Sequence, residues 1–264
     1  MKTQARAKQL ALALPAALLL LSADRLGPER RAPPVTRDVA WEQAAAGLAP
    51  VDEGRFGRAG DPLNLVFLAT PSSLRAALTT SGWTEIPTTV RGSIAAGLGE
   101  YLDGKPVAAF PPMNDYRLIG RRQNMNWAIP VRPFAERHHF RLWFTGMVDD
   151  EGRAYWWGSG NRDLSIRWRD LSHVPDPDMN RERDFVVASL AGSRYLDASK
   201  SGLVALPQIP SEGVNDKGYP YRSDGRAALI VLKRVIEPPK AAAEAAPKKA
   251  PKAPAPATAP APRP

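Results

Sequence analysis

Three histidines occur in the 264 residues, and two are adjacent: His138 and His139, in "ERHHFRLWFTG" (136–146). The third, His173, opens "HVPDPDMNRERD" (173–184). Imidazole titrates near neutral pH and ligates metals, so these are the first places to look for chemistry. Arginines crowd around them: Arg137, Arg141, Arg162, Arg181 and Arg183. Guanidinium forks grip phosphates and carboxylates. Two chemistries are compatible with these residue types. In one, His139, His173, Asp176 and Asp178 hold a divalent metal, with histidine and carboxylate ligands suited to zinc, manganese or iron. In the other, Arg137, Arg141 and Arg183 hold an anion. His139 or His173 then carries a proton, with Glu182 as a third catalytic group, in phosphoester chemistry. Each has a plain structural competitor. Asp176 can cap a helix, Asp178 can face its positive end, and the arginines can pair with Asp163, Asp176, Asp178, Glu182 and Asp184. No His-Glu-x-x-His, nucleophile elbow or phosphate-loop spacing is present.

Side chains on a strand alternate faces. Residues 138–145 read as a strand, so His138 shares an apolar face with Phe140, Leu142 and Phe144. His139, Arg141 and Trp143 share the other. His139 with Arg141 is therefore the functional pair, and His138 a hydrogen-bonded residue at the core edge. Trp143, Trp156, Trp157 and Trp168 are expected to pack in the core or on a sheet face.

These side chains need a frame. "TRDVAWEQAAA" (36–46) suits a short helix. "PLNLVFLA" (62–69) reads as a central strand, followed by a helix capped by Thr70, begun by Pro71 and ended by Gly82. Leu74, Ala77 and Leu78 form its buried face. A helix over 89–102 would place Ile94, Leu98 and Leu102 one turn apart. Residues 104–136 look irregular, with "RLIG" a short edge strand. A turn at 149–152 folds the histidine strand onto "RAYWWGSG", and "DLSIRW" continues the hairpin. "DPDMNRERDFVVASLAG" predicts a helix with Asp176 at the cap, Pro177 first, and Val186, Val187 and Leu190 buried. "RYLDASKSG" and "AALIVLKRVI" supply the last strands, separated by the polar loop 211–225. The order predicts an α+β fold, one mixed or antiparallel sheet with helices mainly on one face, in a split βαββαβ arrangement.

The ends differ from the middle. Residues 1–31 carry six Lys/Arg and two acids, and residues 238–264 carry five and one. Each end is net +4, which leaves the middle only +1 of the chain's +9. The basic character belongs to the tails, so no nucleic-acid groove is expected. Lys2, Arg6 and Lys8 precede the apolar run "LALALPAALLLL" (10–21), the pattern of a secretory signal over 1–23 or of a short uncleaved anchor. Residues 24–59 would be linker and N-terminal helix, 60–237 the folded domain, and the Ala/Pro/Lys-rich 238–264 an extended tail. The expected address is the periplasm or cell envelope, with membrane proximity if the signal is retained. With no cysteine present, disulfides and cysteine chemistry are excluded.

Taken in order, "RHHFRLW", "WWGSGNRD" and "HVPDPDMNRERD" resemble the C-terminal domain of LssY, a type I secretion component. "PLNLVF", the helix ending "SGW" and "LIGRRQN" extend the resemblance over roughly 60–235. Val174 stands where the family pattern has a second histidine, and Asn180 where it has an acid. The resemblance implies a fold and a setting more than a reaction. Two functions follow: an envelope module that binds an anionic ligand or another envelope component, or a hydrolase of phosphate-bearing envelope molecules using His139 and His173. A cleft shared by both histidines and two carboxylates would favour the hydrolase. Separation beyond about 10 Å would favour binding, since ligand bonds are near 2 Å.

Overall fold

The computed structural model describes residues 30–132, 135–167 and 172–235. The stretch read as a secretory signal, the Ala/Pro/Lys-rich C-terminal stretch and Trp168 lie outside the described residues. Residues 36–39 join the sheet margin instead of a helix: Thr36 N–H donates to the Gly146 carbonyl (2.8 Å) and Val39 N–H to Val148 (3.0 Å). The first helix, α1, therefore runs only over Trp41–Ala46. Strands β1 (Val51–Glu53) and β2 (Ala59–Pro62) follow, then β3 (Leu65–Ala69), whose five residues are all buried.

Helix α2 (Pro71–Thr80) has the expected start. The Thr70 hydroxyl accepts from Ser73 N–H while the Ser73 hydroxyl accepts from Thr70 N–H, a reciprocal box that satisfies two orphan donors. Leu74, Ala77 and Leu78 are buried, as expected. Gly82, at φ +88°, turns the chain into β4 (Thr84–Ile86).

Helix α3 (Val90–Leu102) occupies the expected span but inverts the expected face. Leu98 and Leu102 are exposed, and Ser93 and Gly97 point inward. A Cβ at Gly97 would come within 2.5 Å of Phe110 Cβ, so the glycine allows the close approach.

The segment read as irregular holds β5 (Arg117–Leu118), at the expected "RLIG", then β6 (Arg121–Arg122) and β7 (Met125–Arg132). Pro130 inside β7 had hidden it. Strands β8 (Glu136–Val148) and β9 (Ala154–Arg167) form the long hairpin, and Asp163–Arg167 continue β9, as expected. Strand β10 (Ser172–Pro175) leads into helix α4 (Met179–Leu190). Its cap is Asp178, not Asp176: the Asp178 carboxylate accepts from Asn180 N–H, while Asp176 is still paired to the strand margin through its N–H to the Arg162 carbonyl. Val186 and Leu190 are buried, whereas Val187 is exposed.

"RYLDASKSG" makes a single bridge, Leu196 to Leu232, and turns; the strand is β11 (Gly202–Ala205). The polar loop is a hairpin, β12 (Glu212–Val214) and β13 (Pro220–Arg222), and β14 (Arg226–Val231) closes the order.

The central sheet has the order β11-β14-β3-β9-β8-β7-β4, with β10 paired to the far half of β9. Among the described strands of this sheet, only β14 and β3 pair in parallel. The α+β class holds. The sheet has eight strands rather than the four of a split βαββαβ unit. One face packs Leu65, Phe67, Trp127 and Phe140 against α2 and α4, with Leu74, Leu78, Val186 and Leu190. The other packs Val66, Trp143 and Trp157 with residues of α1 and of β5. Both faces are therefore covered, and helices are not confined to one. Strands β2, β1, β5 and β6 form a small second sheet.

The glycines of "WWGSGN" allow close layers. A Cβ at Gly158 would meet Leu142 at 2.8 Å, and one at Gly160 would meet Leu65 and Glu182 at 3.2 and 3.3 Å. Asn64 locks the same place, donating to the carbonyls of Gly160 and Met179 at 3.0 Å and accepting from Gly160 N–H at 2.8 Å. No helix among the described residues is long and apolar enough to cross a membrane.

Candidate functional site

Alternation along β8 and β9 builds the site. Arg137 lies opposite Asp163, His139 opposite Asn161, and Arg141 opposite Ser159, all on the face away from α2 and α4. The neighbouring strand β10 brings in His173. The hairpin β12–β13 reaches over this face because Asn215 Oδ1 accepts from Lys217 N–H (3.1 Å) and Tyr219 N–H (3.0 Å), tightening its turn. Asn215, Lys217 and Tyr219 thereby meet Tyr116, Arg141 and the histidines around one small polar cavity of about 40 Å³. Such a space admits roughly three waters or one compact oxyanion.

Asp163 is the hub. Its Oδ2 accepts from Arg137 Nε at 2.9 Å, and lies 3.4 Å from His139 Nδ1 and 3.5 Å from His173 Nδ1. Arg137 also donates to the carbonyls of Pro111 (2.7 Å) and Ala108 (3.3 Å), so its charge is well held. Burial works to raise the Asp163 pKa, but His139, His173 and the Arg137 guanidinium that donates to it together hold this carboxylate well below its usual range. Burial lowers both imidazoles: His173 to about 4 and His139 well below the ordinary value, despite the attraction of Asp163. Both rings are therefore neutral at pH 7. With Nδ1 of each near Asp163, both imidazoles line the cavity.

Arg141 is placed differently. It is 4 % exposed, its guanidinium carbon lies 4.3 Å from the Tyr116 ring centroid, and its Nε has no hydrogen-bond partner. Lys217 Nζ approaches the same ring at 5.7 Å. Asn161 Oδ1 and His139 Nδ1 are likewise buried without a partner that meets hydrogen-bond geometry. Behind them lie three buried acids, Asp52, Asp61 and Asp216. Asp216 accepts from Tyr116 Oη and from Arg55, and Asp61 from Asn215 Nδ2 at 3.0 Å. Burial raises the pKa of Asp52 and Asp61, with further repulsion from neighbouring acids, while Arg141 pulls both down.

Of the residues expected at the site, the fold brings together His139, His173, Arg137 and Arg141. It does not bring Glu182, Arg183, Asp176 or Asp178. Glu182 lies on the helix-covered face, where its Oε2 is 2.6 Å from His138 Nδ1. Burial raises the pKa of Glu182 well above the ordinary value and lowers that of His138 to about 4, so both shifts favour the neutral forms of this buried pair. His138 also stacks on Phe185, centroids 3.5 Å apart, as a residue of the core edge. Arg183 pairs with Asp224 at 2.6 Å and Asp184 at 2.8 Å, on α4. Asp176 accepts from Asp178 N–H, and Asp178 caps α4 and meets Arg222 at 3.3 Å. The metal set is thus split, and no group of three or more His, Asp or Glu among the described residues is arranged to hold an ion.

Asn161 and Asp163 could have been found from sequence, since they are polar residues on alternate positions of a Trp-rich strand. Tyr116, Asn215, Lys217 and Tyr219 carry no such signal, because only the fold brings their loops to β8.

No curated protein and no solved structure matched the chain in comparison searches. A family model described as the LssY C-terminus matches residues 46–227, starting earlier and ending sooner than the motif resemblance. The matched span runs from the end of α1 into β14 and contains every residue of the polar cavity, and the chain belongs to the LssY C-terminus family.

Proposed function

We propose that this domain is a binding module of the cell envelope whose polar cavity takes a phosphate-type anionic group of an envelope molecule. The supporting observation is Arg141. A buried guanidinium that rests on an aromatic face and has no acceptor at Nε is costly, because a charge out of water needs its donors satisfied as well as a counter-charge nearby. An oxyanion in the cavity supplies those acceptors, and Lys217, Asn161 and Asn215 stand beside it with further donors. The raised pKa values of Asp52 and Asp61 favour their neutral forms and so reduce competition for Arg141. The expected outcome is a saturable rise in melting temperature with inorganic phosphate and glycerol phosphate, absent with sodium chloride at matched ionic strength. No rise with either phosphate would refute the reading.

One observation favours hydrolysis as a second reading. His139 and His173 share the cavity with two carboxylates, Asp163 and Asp61. That is the arrangement set out above as favouring an enzyme. Against it, both rings are held neutral, so neither is ready to protonate a leaving group. Turnover of p-nitrophenyl phosphate, lost in both His139→Ala and His173→Ala, would select this reading; binding without turnover selects the first.

A further inference from the structure

A second cavity lies on the same sheet face, two residues further along β8. Its apolar wall is Leu118, Ile119, Trp143 and Trp157, and its volume is about 160 Å³. An apolar cavity near 150 Å³ stays dry and admits a benzene-sized guest. The space has a local cause. The segment 30–36 is pinned across this face at both ends, Arg30 N–H to the Gly120 carbonyl (3.0 Å) and Thr36 N–H to the Gly146 carbonyl (2.8 Å). Between the pins are Pro33 and Pro34, which have no N–H to pair with the sheet. Beneath them the β8–β9 register shifts between Phe144 and Val148. A roof that cannot pair, over a strand that bulges, leaves a gap.

The gap is not simply apolar. Trp157 Nε1 is buried on its wall without a partner. Arg30, Arg31 and Arg121 border it, and no acid is among its lining residues. Three cations beside an apolar hole of this size complement one type of guest. We propose that this cavity binds the hydrocarbon chain of an anionic amphiphile, a fatty-acid-like tail in the hole with its carboxylate at the arginines. The site is separate from the polar cavity and shares no lining residue with it.

The test uses the full chain and decanoate, followed by tryptophan emission below the micelle concentration. Saturable change is expected, with decanol binding at least about tenfold more weakly because it lacks the charge. An Arg30→Gln/Arg31→Gln double variant, at two exposed positions, is expected to lose the preference for decanoate while keeping its melting temperature. Leu118→Trp, which fills the hole, is expected to abolish the response. Arg141→Gln, and added inorganic phosphate, are expected to leave it unchanged, so the result stands whether or not the polar cavity binds phosphate. Equal responses to decanoate and decanol, a response that never saturates, or an unaltered preference in the arginine double variant would overturn the proposal.

Discussion

His139 and His173 come from strands separated by β9, yet both turn Nδ1 toward one oxygen of Asp163, at 3.4 and 3.5 Å. Arg137 occupies the same oxygen at 2.9 Å. This crowding around one carboxylate makes the two imidazoles part of a single buried unit.

All three histidines of the chain have lowered pKa values, His138 and His173 to about 4 and His139 well below the ordinary imidazole value, in each case chiefly through burial. In a long-range nitrogen–proton spectrum at pH 6 all three rings should be neutral, where an ordinary imidazole is mostly protonated. A histidine titrating near 6.5 would contradict the burial of that ring.

The linked stability has a definite sign. Below pH 6.5 the unfolded chain binds protons that the folded rings refuse, so their share of stability is lost as pH falls from about 6.5 toward 4. Glu182 and Asp52, with raised values, act in the opposite direction. The difference between variants isolates the imidazole share. His173→Gln should lose less melting temperature between pH 7 and pH 5 than the parent chain. An identical loss would place His173 in water.

Asp163→Asn leaves the Arg137 guanidinium buried with carbonyl partners alone. A broken buried pair costs about 3–5 kcal/mol. Urea denaturation should show a loss of that order, and a change below about 1 kcal/mol would mean that water reaches Arg137.

His138→Ala and His139→Ala should separate. The first removes the stack on Phe185 and strands Glu182, at a cost of about 2–3 kcal/mol. It should leave phosphate binding intact, because His138 faces α4. The second should weaken binding with a smaller loss of stability. Equal effects of the two on binding would contradict the division of faces.

That division was legible from sequence, because a strand's period of two separates His138 from His139 whatever the sheet order. Thr70-Pro71 and Gly82 marked α2 because cap chemistry is local. What failed was non-local. Asp176 was expected at the cap, but it still pairs with β9 through the Arg162 carbonyl, and the helix begins two residues later, capped by Asp178. Glu182 lies in the same short motif as His173, yet a helix periodicity turns it to the opposite face of the sheet. Leu98 and Leu102 suggested a buried stripe on α3, but Phe110 demanded small residues, and Gly97 faces it. The pocket's other half, Asn215 to Tyr219, read as a polar loop because nothing local reveals what a hairpin leans against.

Arg141 Nε is buried without an acceptor, and a phosphate in the cavity would supply one. Calorimetric titration of glycerol phosphate into the full chain and into Arg141→Gln tests it most directly. The account predicts saturable binding to the parent and at least about tenfold weaker binding to a variant that remains folded. Binding of equal strength to both would contradict it.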